Sequence, residues 1–202
     1  MLKIVLSVIL AYLLGSIPWG LVIGKVFFHK DIRNYGSGNL GGTNAARVLG
    51  TPIGILVILL DATKAFIAMY LSHLIYPGIE EYVGLAVCIG HCFPIFAGFK
   101  GGKAVASSYG YLFGLSLFVT HEFVYTFLTP LVVFFVVLLI SKMVSLSSMT
   151  ALISASISIF FFVDKRLGIM VLLLALFVIY RHSENIKRIM NGTENKIGSK
   201  KK

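Results

Sequence analysis

Long apolar runs separated by short polar segments dominate this sequence. The runs cover residues 2–24, 52–74, 79–98, 104–119, 123–141, 144–163 and 167–181. Each is near the ~17–25 residues that a helix needs to cross a bilayer, the fourth and seventh being short. The pattern predicts an all-α integral membrane fold of about seven transmembrane helices, in one membrane-embedded domain over 1–202 with a basic tail from about 182. The first run has only Lys3 before it and continues past Gly15, Pro18 and Gly20 without a cleavage site. It therefore reads as a span and not as a signal peptide. No repeat relates the two halves, and the only low-complexity segment is the Lys200–Lys202 tail.

Composition agrees with the membrane class: 57% of the residues are apolar and the mean hydropathy is +0.91. A formal net charge of +10 would suggest nucleic acid as partner in a soluble protein. Here the cations lie in short segments between the runs, where orientation is set. Fourteen of them (Lys25, Lys30, Arg33, Arg47, Lys100, Lys103, Lys142, Arg181, Lys187, Arg188, Lys196 and the terminal lysines) follow odd-numbered runs. Only Lys3, Lys165 and Arg166 fall on the other side, beside Glu80, Glu81, Glu122 and Asp164. This bias predicts the N-terminus outside and the C-terminus in the cytoplasm, with every unusual polar cluster facing the cytoplasm.

The first such cluster runs from Asn34 to Arg47, a glycine-rich, carboxylate-free loop. Glycines let successive amides converge on one spot, which makes a concave anion site. A plain re-entrant turn would not need the donors Ser37, Asn39, Thr43 and Asn44. The second spans Gly90 to Ala104 and ends Gly101-Gly102-Lys103 at the start of the fourth run. Bare amides, a helix N-terminus and a cation all favour phosphate, although the spacing is not that of a P-loop. His91 there is either a satisfied interior histidine or part of a substrate-binding set. Ser145, Ser147 and Ser148, after Lys142, could cap the sixth helix and leave donors at the cytoplasmic face. In the fourth cluster, His182, Asn185 and Arg188 share a face if the last helix continues, and Glu184 is spaced to pair with Arg188.

Asp61 and Lys64 predict an intramembrane ion pair with a bracing role. Cys88 and Cys92 lack ligand partners at suitable spacing and read as packing. No His is followed by Asp after four residues, as thioester-using acyltransferases require, and no aspartate cluster could hold Mg²⁺. No metal, cofactor or nucleic acid is expected.

Together these segments resemble a known family. Asp31-Ile32-Arg33, Gly36-Ser37-Gly38-Asn39, Thr43-Asn44 and Arg47 are similar to the first motif of the bacterial acyl-phosphate:glycerol-3-phosphate acyltransferases. Gly90-His91, Phe93-Pro94, Phe96 and Phe99-Lys100-Gly101-Gly102-Lys103 resemble its second. Ser145-Leu146-Ser147-Ser148, and Arg181-His182 with Asn185-Ile186 and Arg188, resemble later ones. Gly42 and Ala104 depart from the family pattern, which often has alanine and glycine there.

The resemblance implies acyl transfer from acyl phosphate to the sn-1 hydroxyl of glycerol 3-phosphate at the cytoplasmic face of the bacterial inner membrane, giving lysophosphatidate. Its implied catalytic residues are Ser37, Arg47, Lys103, His182 and Asn185. Its implied substrate-binding residues are Gly38, Asn39, Thr43, Asn44, His91, Gly101, Gly102, Ser145, Ser147, Ser148 and Arg181. On this view the first loop and Gly101-Gly102 hold the donor phosphate and the oxyanion, and His182 or a substrate phosphate takes the hydroxyl proton. The alternative is a transporter of a phosphorylated small molecule, disfavoured because the outer half has no matching cations and no inverted repeat.

Overall fold

The computed structural model describes residues 1–198; the Lys200–Lys202 tail lies outside the described residues. All regular structure among the described residues is helical, and the chain forms two compact units, Met1–Val119 and a second from Thr120 onward.

In the first unit, helix α1 (Leu2–Gly15) is followed after a short break by α2 (Trp19–Phe28), bent by 43°. Pro18 causes the break, since it donates no hydrogen bond and crowds the preceding turn. The first polar segment contains a 3-10 turn (Ile32–Asn34), where Asp31 accepts from the Arg33 amide at 3.0 Å. The Asp31 carboxylate also binds the Arg33 guanidinium and lies 3.5 Å from Lys25. The Arg33 hydrogen bond, outweighing partial burial, holds this carboxyl well below the usual range.

Helix α3 (Gly42–Leu49) then turns through Gly50 into α4 (Thr51–Ile75), with Pro52 in the first turn of α4. Helices α5 (Glu80–Cys92) and α6 (Val105–Phe118) complete the unit. Close approach rests on glycine: a Cβ at Gly15 would enter the Val87 backbone, and one at Gly110 would enter Ala62. Such small-residue contacts pack helices where no hydrophobic drive between them exists.

In the second unit, a π-helical turn (Val124–Leu128) leads into α7 (Thr129–Ser141), which returns through left-handed Lys142 as α8 (Val144–Phe162). Helix α9 (Lys165–Arg181) is capped by Asp164, whose side chain accepts from the Leu167 amide at 2.7 Å. Helix α10 (Ser183–Met190) departs from α9 at 64°. The chain then folds back, and the Ile197 amide donates to the Lys142 carbonyl at 2.8 Å.

Each of the seven apolar runs contains helix. Among the described residues, three helical segments (Thr51–Ile75, Val124–Ser141, Val144–Phe162) are individually long and apolar enough to cross a membrane, or up to five if each bent pair is one span. The third run was expected to continue to residue 98, but its helix stops at Cys92. Pro94 disfavours helical backbone at Phe93, and a short turn (Ile95–Ala97) follows.

Candidate active site

The glycine-rich segment of the first unit is shorter and more closed than its sequence suggests. Residues from Gly42 onward are helical, so Thr43, Asn44 and Arg47 stand on α3 and not in a loop. The stretch Ala45-Ala46-Arg47-Val48-Leu49 explains this, because it holds helix formers and buries Ala45 completely. The expected open cradle of amides is also corrected. The Ser37 amide donates to Asn44 Oδ1 at 2.8 Å, Gly38 to the Tyr35 carbonyl at 3.0 Å and Gly41 to Asn39 Oδ1 at 2.9 Å. Buried Asn44 completes the arrangement by donating from Nδ2 to the carbonyls of Ile32 and Tyr35. Gly36 and Gly38 adopt left-handed backbone, at φ 62° and 68°, which lets the segment turn that tightly.

What this fold presents outward is chemistry of side chains. Ser37 is exposed, and Thr43 and Arg47, one turn apart on α3, are both exposed. Helix α3 has no side-chain N-cap.

A second correction concerns Gly101-Gly102. Their amides are not bare: Gly101 donates to the Cys92 carbonyl and Gly102 to the His91 carbonyl, both at 3.1 Å. These bonds satisfy the C-terminal carbonyls of α5, which the helix itself leaves open. The glycines are needed for close approach, since a Cβ on Gly101 would meet the His91 carbonyl and one on Gly102 would meet His91 Nε2. Half-buried Lys103 precedes left-handed Ala104 (φ 57°), and α6 begins only at Val105.

His91 is buried. Its Nδ1 lies 3.0 Å from Lys64 Nζ and 3.3 Å from Asp61 Oδ1. The predicted Asp61–Lys64 pair forms at 2.8 Å, and Lys64 Nζ also donates to the carbonyls of Gly15 at 2.9 Å and Ile17 at 3.1 Å. Those two carbonyls lie at the α1–α2 break, where helical partners are missing.

The second unit gathers its polar residues on a carboxylate that sequence reasoning missed. Glu194 Oε1 accepts from Ser145 Oγ at 2.7 Å and from Asn185 Nδ2 at 2.6 Å, and Oε2 accepts from Arg188 Nε at 2.8 Å. Burial pushes the Glu194 carboxyl up, but the three hydrogen bonds outweigh it, so its pKa lies below the ordinary value. The expected Glu184–Arg188 pair does not form; Glu184 binds Lys187 at 3.2 Å, and Arg188 turns to the better-buried acid. The only sequence signal for Glu194 is an isolated carboxylate shortly after Gly192 in a basic tail.

The capping role expected for the serines is corrected too. Ser147 and Ser148 donate to the Met143 and Val144 carbonyls of their own helix, at 2.8 and 2.7 Å, and both are buried. His182 sits at the α9–α10 bend, so it and Asn185 do not share one continuous helix. Its Nδ1 is 2.8 Å from the Val178 carbonyl. A carbonyl only accepts, so Nδ1 carries a proton and donates it to Val178. Arg181 is half-buried at the end of α9. Among the described residues no group of three His, Cys, Asp or Glu side chains could hold a metal.

The sequence profile of the family described as glycerol-3-phosphate acyltransferase matches residues 5–192. The chain belongs to this family. A glycerol-3-phosphate acyltransferase of Macrococcus caseolyticus is 46% identical, over 99% of this chain and 100% of its own length. One of Bacillus velezensis is 50% identical, over 96% of this chain and 97% of its own. The crystal structure of PlsY (YgiH), an integral membrane glycerol 3-phosphate acyltransferase, in its glycerol 3-phosphate form shares 38% identity and a TM-score of 0.87, covering 97% of this chain and 96% of that one. Its lysophosphatidic acid form gives 0.84 at 36% identity.

Proposed function

We propose that this protein is a glycerol-3-phosphate acyltransferase that uses acyl phosphate as donor, esterifies the sn-1 hydroxyl and releases lysophosphatidate and inorganic phosphate. The observation that carries the reading is the likeness to PlsY in its glycerol 3-phosphate form, at 38% identity across 97% of the chain. The reaction needs no covalent enzyme intermediate, because acyl phosphate already carries a good leaving group. Orientation and charge stabilisation then supply the rate.

The hydroxyl oxygen attacks the acyl carbonyl carbon, its proton passes to His182 Nε2 or to a substrate phosphate, and the bond from acyl carbon to phosphate oxygen breaks. Arg47 and Lys103 bind phosphate groups, and Asn185 binds substrate beside His182. The exposed Ser37 hydroxyl orients a reacting group. The internally bonded amides of Ser37, Gly38, Gly41, Gly101 and Gly102 hold these side chains in place instead of touching substrate. Seven membrane crossings, with the N-terminus outside and the site facing the cytoplasm of a bacterial inner membrane, complete the reading. The cation distribution supports that orientation.

The test offers purified protein acyl phosphate, acyl carrier protein thioester and acyl-CoA in competition, with labelled glycerol 3-phosphate. Lysophosphatidate should form from acyl phosphate alone. Arg47→Ala and Lys103→Ala, purified and folded, should lose nearly all turnover; wild-type turnover in either would overturn the site.

A further inference from the structure

Lys64 is the most deeply committed cation in the first unit. It is buried, as are Asp61 and His91; of the three, only His91 is implied by the family resemblance to bind substrate, and none takes a step in the proposed reaction. Asp61 Oδ1, 3.3 Å from His91 Nδ1, takes no hydrogen bond, and an ammonium donates and never accepts, so the 3.0 Å approach of Nδ1 to Nζ places a lone pair on Nδ1. The proton of the neutral ring is then on Nε2. That edge of the ring lies over Gly102, where a Cβ would collide with it. The backbone of the same histidine holds Gly102 a second time, by accepting from its amide at 3.1 Å. The residue after Gly102 is Lys103.

We propose that Lys64 and His91 are positioning residues for Lys103: the buried ammonium selects the Nε2–H form of His91, and that imidazole seats the Gly101-Gly102 segment from which Lys103 projects. Asp61, 2.8 Å from Nζ, fixes where the Lys64 head sits. Because Lys64 also holds the Gly15 and Ile17 carbonyls, the break between α1 and α2 and the approach to α6 are fixed by a single side chain. The inference rests on Lys103 acting in the site.

A purely structural ion pair makes a different prediction. Replacing a whole buried pair by apolar residues of similar volume is often neutral for stability, whereas removing one partner strands a charge. The discriminating variant is therefore Asp61→Leu with Lys64→Met, in full-length protein in detergent micelles. Folding is read by gel filtration and helix content, and the His91 tautomer by nitrogen NMR of histidine-labelled protein.

We expect a folded double variant whose kcat/KM for acyl transfer falls at least tenfold and whose His91 no longer holds a single Nε2–H tautomer. A folded variant with wild-type kcat/KM, or with the His91 tautomer unchanged, overturns the proposal. If the double variant does not fold, His91→Gln and His91→Asn carry the test. Gln places an N–H donor near the Nε2 position and Asn does not, so Gln should retain at least tenfold more activity; equal loss overturns the proposal. Lys103→Ala, assayed alongside, separates the two levels: full turnover there removes the site reading itself, whatever His91 does.

Discussion

Asn44 Oδ1 accepts the Ser37 amide at 2.8 Å, while the same side chain donates to the carbonyls of Ile32 and Tyr35 at 3.0 and 3.2 Å. One buried amide thus closes the polar segment onto α3. Asn44→Ala leaves the Ser37 amide without this partner and removes one donor from each of two carbonyls, at a cost of about 1–3 kcal/mol. Asn44→Asp should be no better, since a carboxylate faces those carbonyls without a donor. Both should lower acyl transfer tenfold or more, with the loss of stability read by denaturant unfolding in micelles.

Glu194 gives a pH dependence of definite sign. Its carboxyl is depressed in the folded protein, so its contribution is present above the ordinary carboxylate pKa and is lost as pH falls through the folded value. Acidification should loosen the chain after Met190 first, read as proteolysis near Gly192. Glu194→Gln should make that cleavage pH-independent between pH 7 and the acid limb, and faster at pH 7.

With Nδ1–H donated to the Val178 carbonyl, Nε2 is the ring nitrogen of His182 that could take a proton. If Nε2 is the base, His182→Ala should cost far more than ~10⁴ in kcat. A modest loss would assign the proton to a substrate phosphate.

Gly54 faces α3 so closely that a Cβ would enter Ala46 and the Gly42 carbonyl. Gly54→Val should displace α3, costing roughly 1–3 kcal/mol, and should weaken turnover through Arg47. Gly78 has open space around its Cα but a φ of 95°, so Gly78→Asn is the control for a glycine replacement that strains only its own turn, and turnover should stay unchanged.

Chelation offers a simple check. With no cluster of ligands among the described residues, EDTA treatment followed by assay in metal-free buffer should leave acyl transfer at its original rate.

Helix positions were legible in the sequence because apolar runs between polar segments leave a buried backbone few other choices. The Asp61–Lys64 pair was legible from its spacing. The use of the glycine-segment amides was not, since Asn44 reaches back seven residues to take one of them and α5 carbonyls take two more. Glu194 was hidden because its partners, Ser145 and Asn185, are 49 and 9 residues away in a tail that reads as solvated. Composition reports which groups can donate; only the fold decides which of them are already engaged.

The α1–α2 break also bears on biosynthesis. The carbonyls of Gly15 and Ile17 leave the ribosome 49 and 47 residues ahead of the ammonium that will satisfy them. The N-terminal helix pair therefore cannot reach its final form as it is made. It waits, with those carbonyls hydrated, until α4 arrives carrying Lys64, so insertion of the first segment and completion of its shape are separate events.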